Sequence, residues 1–157
     1  MLFRSSGRAI TGIPFQPGMV FVMAAGSGAA HWRSRTFVNT NCSNFGSSAM
    51  TVTATLLSLT GDGFTVGSST KANGAGMLYH YVAFKEDPAF LSLGSYVGNG
   101  ITGRFIDVPG IDMKYLLMKS EKSGSVLMKT DLLDANKVVP VSGAEATGRI
   151  NYMGLDG

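Results

Sequence analysis

Few residues of this 157-residue chain are spaced for chemistry. Gly61, Gly63 and Gly67 fall near the spacing of a phosphate-cradling loop, but that chemistry needs backbone amides converging at the start of a helix. The flanking residues, LLSLT before and FTV after, form a hairpin pattern instead. Asp62, Asp107 and Asp112 are the carboxylates from which a glycosidase-type acid and base pair would be drawn. Each stands within two residues of a Gly or Pro, where Asp supports a turn. Cys42 is the only cysteine, so neither an intrachain disulfide nor a thiolate metal cage is available, and Asn41 and Ser43 give it no catalytic neighbour. The sharpest cluster is His31-Trp32-Arg33. An exposed indole flanked by donors stacks on a sugar face, whereas a buried one contributes through packed area. His80, between Tyr79 and Tyr81, reads as a hydrogen-bonded packing residue on an inner strand. The expectation is therefore no catalytic residue, no metal and no cofactor, with Trp32, Tyr79 and Tyr96 as candidates for an interface or a glycan contact.

The composition points to strands and to company. Only 15% of residues are charged, 45% are hydrophobic and 21 are Gly, a balance that suits an all-β chain with many tight turns. Low charge and positive mean hydropathy imply an outer surface that is only weakly polar, natural for a subunit packed in an assembly. The net charge of +3 is scattered, with Arg4, Arg8, Arg33 and Arg35 early and Lys114, Lys119, Lys122, Lys129 and Lys137 late. No basic stripe forms, so a nucleic-acid partner is not expected. No run approaches the length of a membrane span, and MLFRSSGRAITG has no apolar signal core, which predicts synthesis in the cytosol without membrane insertion.

The elements that must position any site are organised around residues 56–85. This stretch reads as a strand, an Asp62-Gly63 turn, a short strand, a glycine-rich loop with Asn73-Gly74 and a second strand; the Gly, Asn and Asp supply positive-φ tolerance. Residues 77–84 carry aromatic and aliphatic groups on both faces, which predicts a strand inside a sandwich rather than at an edge.

Self-comparison gives a period of about 96 residues. Gly7-Arg8-Ala9-Ile10 aligns with Gly103-Arg104-Phe105-Ile106, Met19-Val20-Phe21-Val22 with Tyr115-Leu116-Leu117-Met118, and Arg33 with Lys129. Trp32 aligns with Met128, so the position accepts a plain apolar side chain. Each copy predicts strands at 8–13 (104–108), 19–24 (114–119), around 31–33, and 51–59 (147–153), with surface loops at 39–48 and 131–146. A further strand at 90–97 and a Gly98-Asn99-Gly100 turn open the second copy. The predicted fold is an all-β sandwich of jelly-roll type. It is divided as 1–88, a first copy lacking its opening strand, and 89–157, a second lacking its closing strands, or is one intertwined domain. Either the chain belongs to a longer polypeptide or its open edges are filled by another subunit.

Phe15-Gln16-Pro17-Gly18-Met19-Val20-Phe21-Val22-Met23, Gly61-Asp62-Gly63-Phe64-Thr65-Val66-Gly67, Asn73 and Gly76 before Tyr79-His80-Tyr81-Val82-Ala83-Phe84, and Gly94-Ser95-Tyr96-Val97-Gly98-Asn99-Gly100 form an ordered set. Together they resemble a β-rich module of tailed-bacteriophage virion proteins, often tandem in tail fibres. Gly18 stands where the module usually has an acid, and Met113 where it has Pro. The resemblance implies a virion location after assembly in the host cytoplasm. A compact chain of 157 residues suits an exterior capsid decoration or cement subunit, with other virion proteins and further copies of the chain as partners and a trimer as the closed symmetry. The alternative is a tail-fibre module binding a host-surface glycan.

Overall fold

The structure, a computed structural model, describes residues 7–26, 29–46, 50–52, 55–122, 124–134, 137–141, 146–147 and 150. Among these residues the strands are β1 (Arg8–Ile10), β2 (Met19–Ala24), β3 (His31–Ser34), β4 (Asn41–Asn44), β5 (Thr51–Val52), β6 (Leu56–Thr60), β7 (Gly63–Val66), β8 (Tyr79–Phe84), β9 (Tyr115–Met118), β10 (Leu127–Thr130), β11 (Lys137–Pro140) and β12 (Ala146–Thr147), and a helical turn, α1, spans Thr70–Asn73. They form three antiparallel sheets, ordered β1-β7-β6, β5-β4-β3-β2-β8 and β12-β11-β10-β9.

The first two sheets pack face to face. Alternation along β2 sends Val20 and Val22 inward, where they meet Leu56, Phe64 and Val66 of the smaller sheet together with Ile13, Cys42 and Ala72. Phe64 and Leu56 are among the largest fully buried side chains. The chain switches sheets between β5 and β6, so the expected single strand over 51–59 is two strands in different layers. At the far end of β2, an added Cβ on Gly18 would come to 2.8 Å from Leu93 Cδ1 and 3.2 Å from Glu86 Cβ. That crowding favours glycine at this position.

Two turn assignments change their physical reason. The β6–β7 hairpin closes through Gly61 and Asp62, with Thr60 opposite Gly63, and neither turn residue has positive φ. Gly74 is extended at φ −76 and caps α1, which lies within the expected glycine-rich loop. Gly63 is needed for space: β1 crosses it so closely that a Cβ there would stand 1.9 Å from the Ile10 carbonyl oxygen.

The third sheet reproduces part of the second, displaced by 96 residues. Met19 opposite Ser34 recurs as Tyr115 opposite Thr130, and His31 opposite Asn44 recurs as Leu127 opposite Pro140. At the next strand the register slips by one residue: Asn41 faces Val52, and Lys137 faces Thr147. The loops expected at 39–48 and 131–146 therefore contain strands β4 and β11. In contrast, residues 104–108 and 90–97 form no strand; Leu91 makes an isolated bridge to Asp87. Strand-like sequence stays irregular where no neighbouring strand takes up its amides.

The expectation for residues 77–84 is corrected. β8 is the edge of its sheet, and Tyr81, Val82 and Phe84 are exposed. On its outer face Phe84 packs edge-on against Phe21, and Val82 and Phe84 remain exposed.

Candidate functional site

Directly opposite residues in an antiparallel pair share a face. Phe21 lies opposite Trp32 on one side and Val82 on the other, so all three stand on the outer face of the five-stranded sheet, away from the sandwich core. There Trp32 stacks on Phe21 at 5.8 Å and on Phe45 at 6.4 Å, with Phe37 edge-on at 4.7 Å. Phe84 meets Phe21 edge-on at 5.8 Å. Trp32 is only 5% exposed, and its Nε1 has no hydrogen-bond partner among the described residues. With Phe21, Phe37 and Phe45 around it and almost no exposure, Trp32 is the centre of an apolar cluster and presents no open stacking platform. Met23, Val82 and Phe84 extend this cluster to solvent.

Tyr79 lies on the opposite, inner face. Its hydroxyl donates to the Thr70 carbonyl and accepts from the Gly74 amide at 2.8 Å, clamping α1 to β8. Tyr96 belongs to the irregular segment before β9. It is 49% exposed, its hydroxyl donates to Met118 Sδ at 3.0 Å, and the Arg104 guanidinium stands 5.3 Å from its ring centroid. The three candidate residues thus serve three separate places: a packed outer cluster, a helix clamp and an exposed ring with a cation beside it.

The two histidines cannot cooperate. His31 lies opposite Val22 and faces the core, whereas His80 lies opposite Met23 and faces outward, exposed rather than packed as expected. Burial holds the His31 imidazole below its ordinary value of 6.5, with Lys71 adding to the effect and a backbone hydrogen bond at Ala29 opposing it. A lowered folded-state pKa means that the unfolded chain binds more protons below that value. Stability is therefore complete above pH 6.5 and is lost as pH falls below it. Denaturant midpoints are expected to drop between about pH 7.5 and about pH 5.5, and His31→Leu is expected to flatten that slope. An equal slope in the variant would show that other groups carry it.

Arg33 and Lys129 are buried cations unrecognised from their residue types, although the period aligns them. The Arg33 guanidinium donates to the carbonyls of Asn39 and Asn41, while Lys129 Nζ donates to those of Asp134 at 3.0 Å and Lys137 at 2.9 Å. Both tie down the loop between their own strand and the next. Cys42 is buried in the sandwich core, Asp112 pairs with Lys114 at 2.9 Å, and Asp62 accepts the Ile13 amide through its carbonyl at 2.9 Å. Among the described residues, no group of three His, Cys, Asp or Glu side chains is placed to hold a metal ion, and no helix is long and apolar enough to cross a membrane.

The arrangement offers apolar surface, open sheet edges of which β8 is one, and a Tyr–Arg pair. Comparison of the chain with protein-family models, with curated proteins and with solved structures finds no match.

Proposed function

We propose that this chain is a non-enzymatic structural subunit that completes its packing against other copies and other proteins of a larger assembly. From the motif resemblance, that assembly is the exterior of a tailed-phage particle, with the subunit decorating or cementing the head. The observation that carries the assembly reading is the exposure of large apolar side chains among the described residues: Phe90, Val97, Ile101 and Phe105 stand out from the segment between β8 and β9, and Met23, Val82 and Phe84 from the outer face of the five-stranded sheet.

Electron microscopy and quantitative mass spectrometry of intact particles test this reading. Hundreds of copies on the head are expected; a few dozen on a fibre would favour the tail position, and absence from the particle would overturn the virion assignment. Trp32→Ala is expected to lower both the melting temperature and the yield of assembled subunit, since it opens the centre of the outer cluster. One observation favours a second reading, a glycan-binding fibre module: the Tyr96 ring is half open, and Arg104 adds hydrogen-bond donors beside it. Glycan-array binding abolished by Tyr96→Ala, with oligomer and melting behaviour unchanged, would establish that reading.

A further inference from the structure

We propose that β8 is a two-fold pairing edge, which adds antiparallel to β8 of a second copy of this chain in a register centred on Tyr81. The inference rests on the assembly reading and names its contact. The Ala25 amide donates to the Leu78 carbonyl at 2.8 Å and the Gly18 amide to that of Phe84 at 2.8 Å, so the backbone groups of alternate residues 78, 80, 82 and 84 turn toward β2. Those of Tyr79, Tyr81 and Ala83 consequently point to the opposite side, where no strand of this chain pairs with them among the described residues.

Natural edge strands are blunted by a charge, a proline or a bulge. β8 has none of these: its six residues are YHYVAF, and its pairing with β2 runs without a register break. Centred on Tyr81, a two-fold pair uses all three outward amides and all three outward carbonyls of each copy. Tyr79 then faces Ala83 of the other copy, large against small, and Val82 faces His80. Lys85 and Glu86 lie beyond the paired residues, so no like charges meet. The operation also keeps both sandwich cores on one side of a continuous sheet. It brings the outer clusters of Phe21, Trp32 and Phe84 of the two copies together on the other side. A head-to-tail partner would match none of these self-complementary features. The symmetry generated is two-fold, giving even-numbered assemblies in place of the trimer expected from the sequence.

The test uses the full chain in sedimentation equilibrium. Wild type is expected as a dimer or a multiple of one. Ala83→Pro removes an outward amide while leaving the β2 ladder intact, and Val82→Lys places a charge at the contact. Each is expected to raise the dimer dissociation constant about a hundredfold with the strand circular dichroism retained. The double variant His80→Cys, Val82→Cys is expected to oxidise to a covalent pair, because these positions face each other across the two-fold, whereas neither single variant is expected to do so. An oligomer that survives both Ala83→Pro and Val82→Lys, or cross-linking by the single variants, would overturn the β8 contact and leave the assembly reading standing. A wild-type chain that stays monomeric at every concentration would overturn both.

Discussion

Gly63→Ala is expected to destabilise the sandwich by about 3 kcal/mol or more and to lower its melting temperature by about 10 °C, while Gly61→Ala, in the same turn, changes both by almost nothing. A methyl group on Gly63 would come to 1.9 Å from the Ile10 carbonyl oxygen and 2.9 Å from the Ile10 carbonyl carbon, both of them backbone atoms that no rotamer change moves aside. To make room, β1 must lift from β7, and three pairings go with it: Arg8 with Val66, Ala9 with Thr65, and Ile10 with Phe64. Ile13, whose amide is held by the Asp62 carbonyl and whose side chain lies in the core, loses its anchor as well. Gly61 meets nothing within 4 Å and has no positive φ, so alanine costs it neither space nor strain. Overpacking in a tight core costs about 1–3 kcal/mol even when neighbours relax, and here the neighbour is a strand. Urea denaturation of the two variants decides the matter: equal midpoints would mean that β1 is easily displaced.

The same glycine shows what sequence conveys and what it withholds. That no side chain belongs at position 63 was legible from the Gly-Asp-Gly spacing, but absence of a Cβ serves either a positive φ or a close approach, and only the crossing of β1 separates them. The alternation of Met19–Ala24 was legible because buried Val20 and Val22, two residues apart, leave a period-two trace, and Tyr115–Met118 was legible through its alignment with that run. Strand β4 left no such trace: Asn41-Cys42-Ser43-Asn44 has loop composition and becomes a strand because β3 and β5 flank it and Cys42 fills the core. Residues 90–97 erred in the opposite direction, apolar enough for a strand yet lacking a neighbour to take their amides. For β8, two apolar faces signalled double coverage, whereas the strand lies at the sheet edge with Val82 and Phe84 exposed, a placement set by long-range pairing that local pattern does not encode. Among the candidate residues, the period marked Trp32 as replaceable by Met128, which agrees with a packed ring rather than an open platform. The partners of Tyr79 and Tyr96 are long-range contacts with no local signature.

Lys129→Ala is expected to cost about 3 kcal/mol, Lys129→Met about 1–2 kcal/mol, and Lys129→Arg to lie nearest wild type. The order separates three physical terms. Lys129 is 2% exposed, so alanine leaves a cavity along the whole aliphatic stem and strips two charge-assisted hydrogen bonds. Methionine refills the stem and relieves the desolvation of a buried ammonium, but the carbonyls of Asp134 and Lys137 still lose that donor. Arginine restores donors at the place where the five-stranded sheet already uses one, since Arg33 bonds the carbonyls of Asn39 and Asn41 from the matching position of β3. The loss should be local as well as graded. Hydrogen exchange is expected to speed up at the amides of β10 and β11 while the β2–β3 ladder keeps its protection, because the side chain that anchors that loop is Arg33. A methionine variant as stable and as protected as wild type would show that the ammonium serves no structural purpose, and that Arg33 and Lys129 share a position without sharing a role.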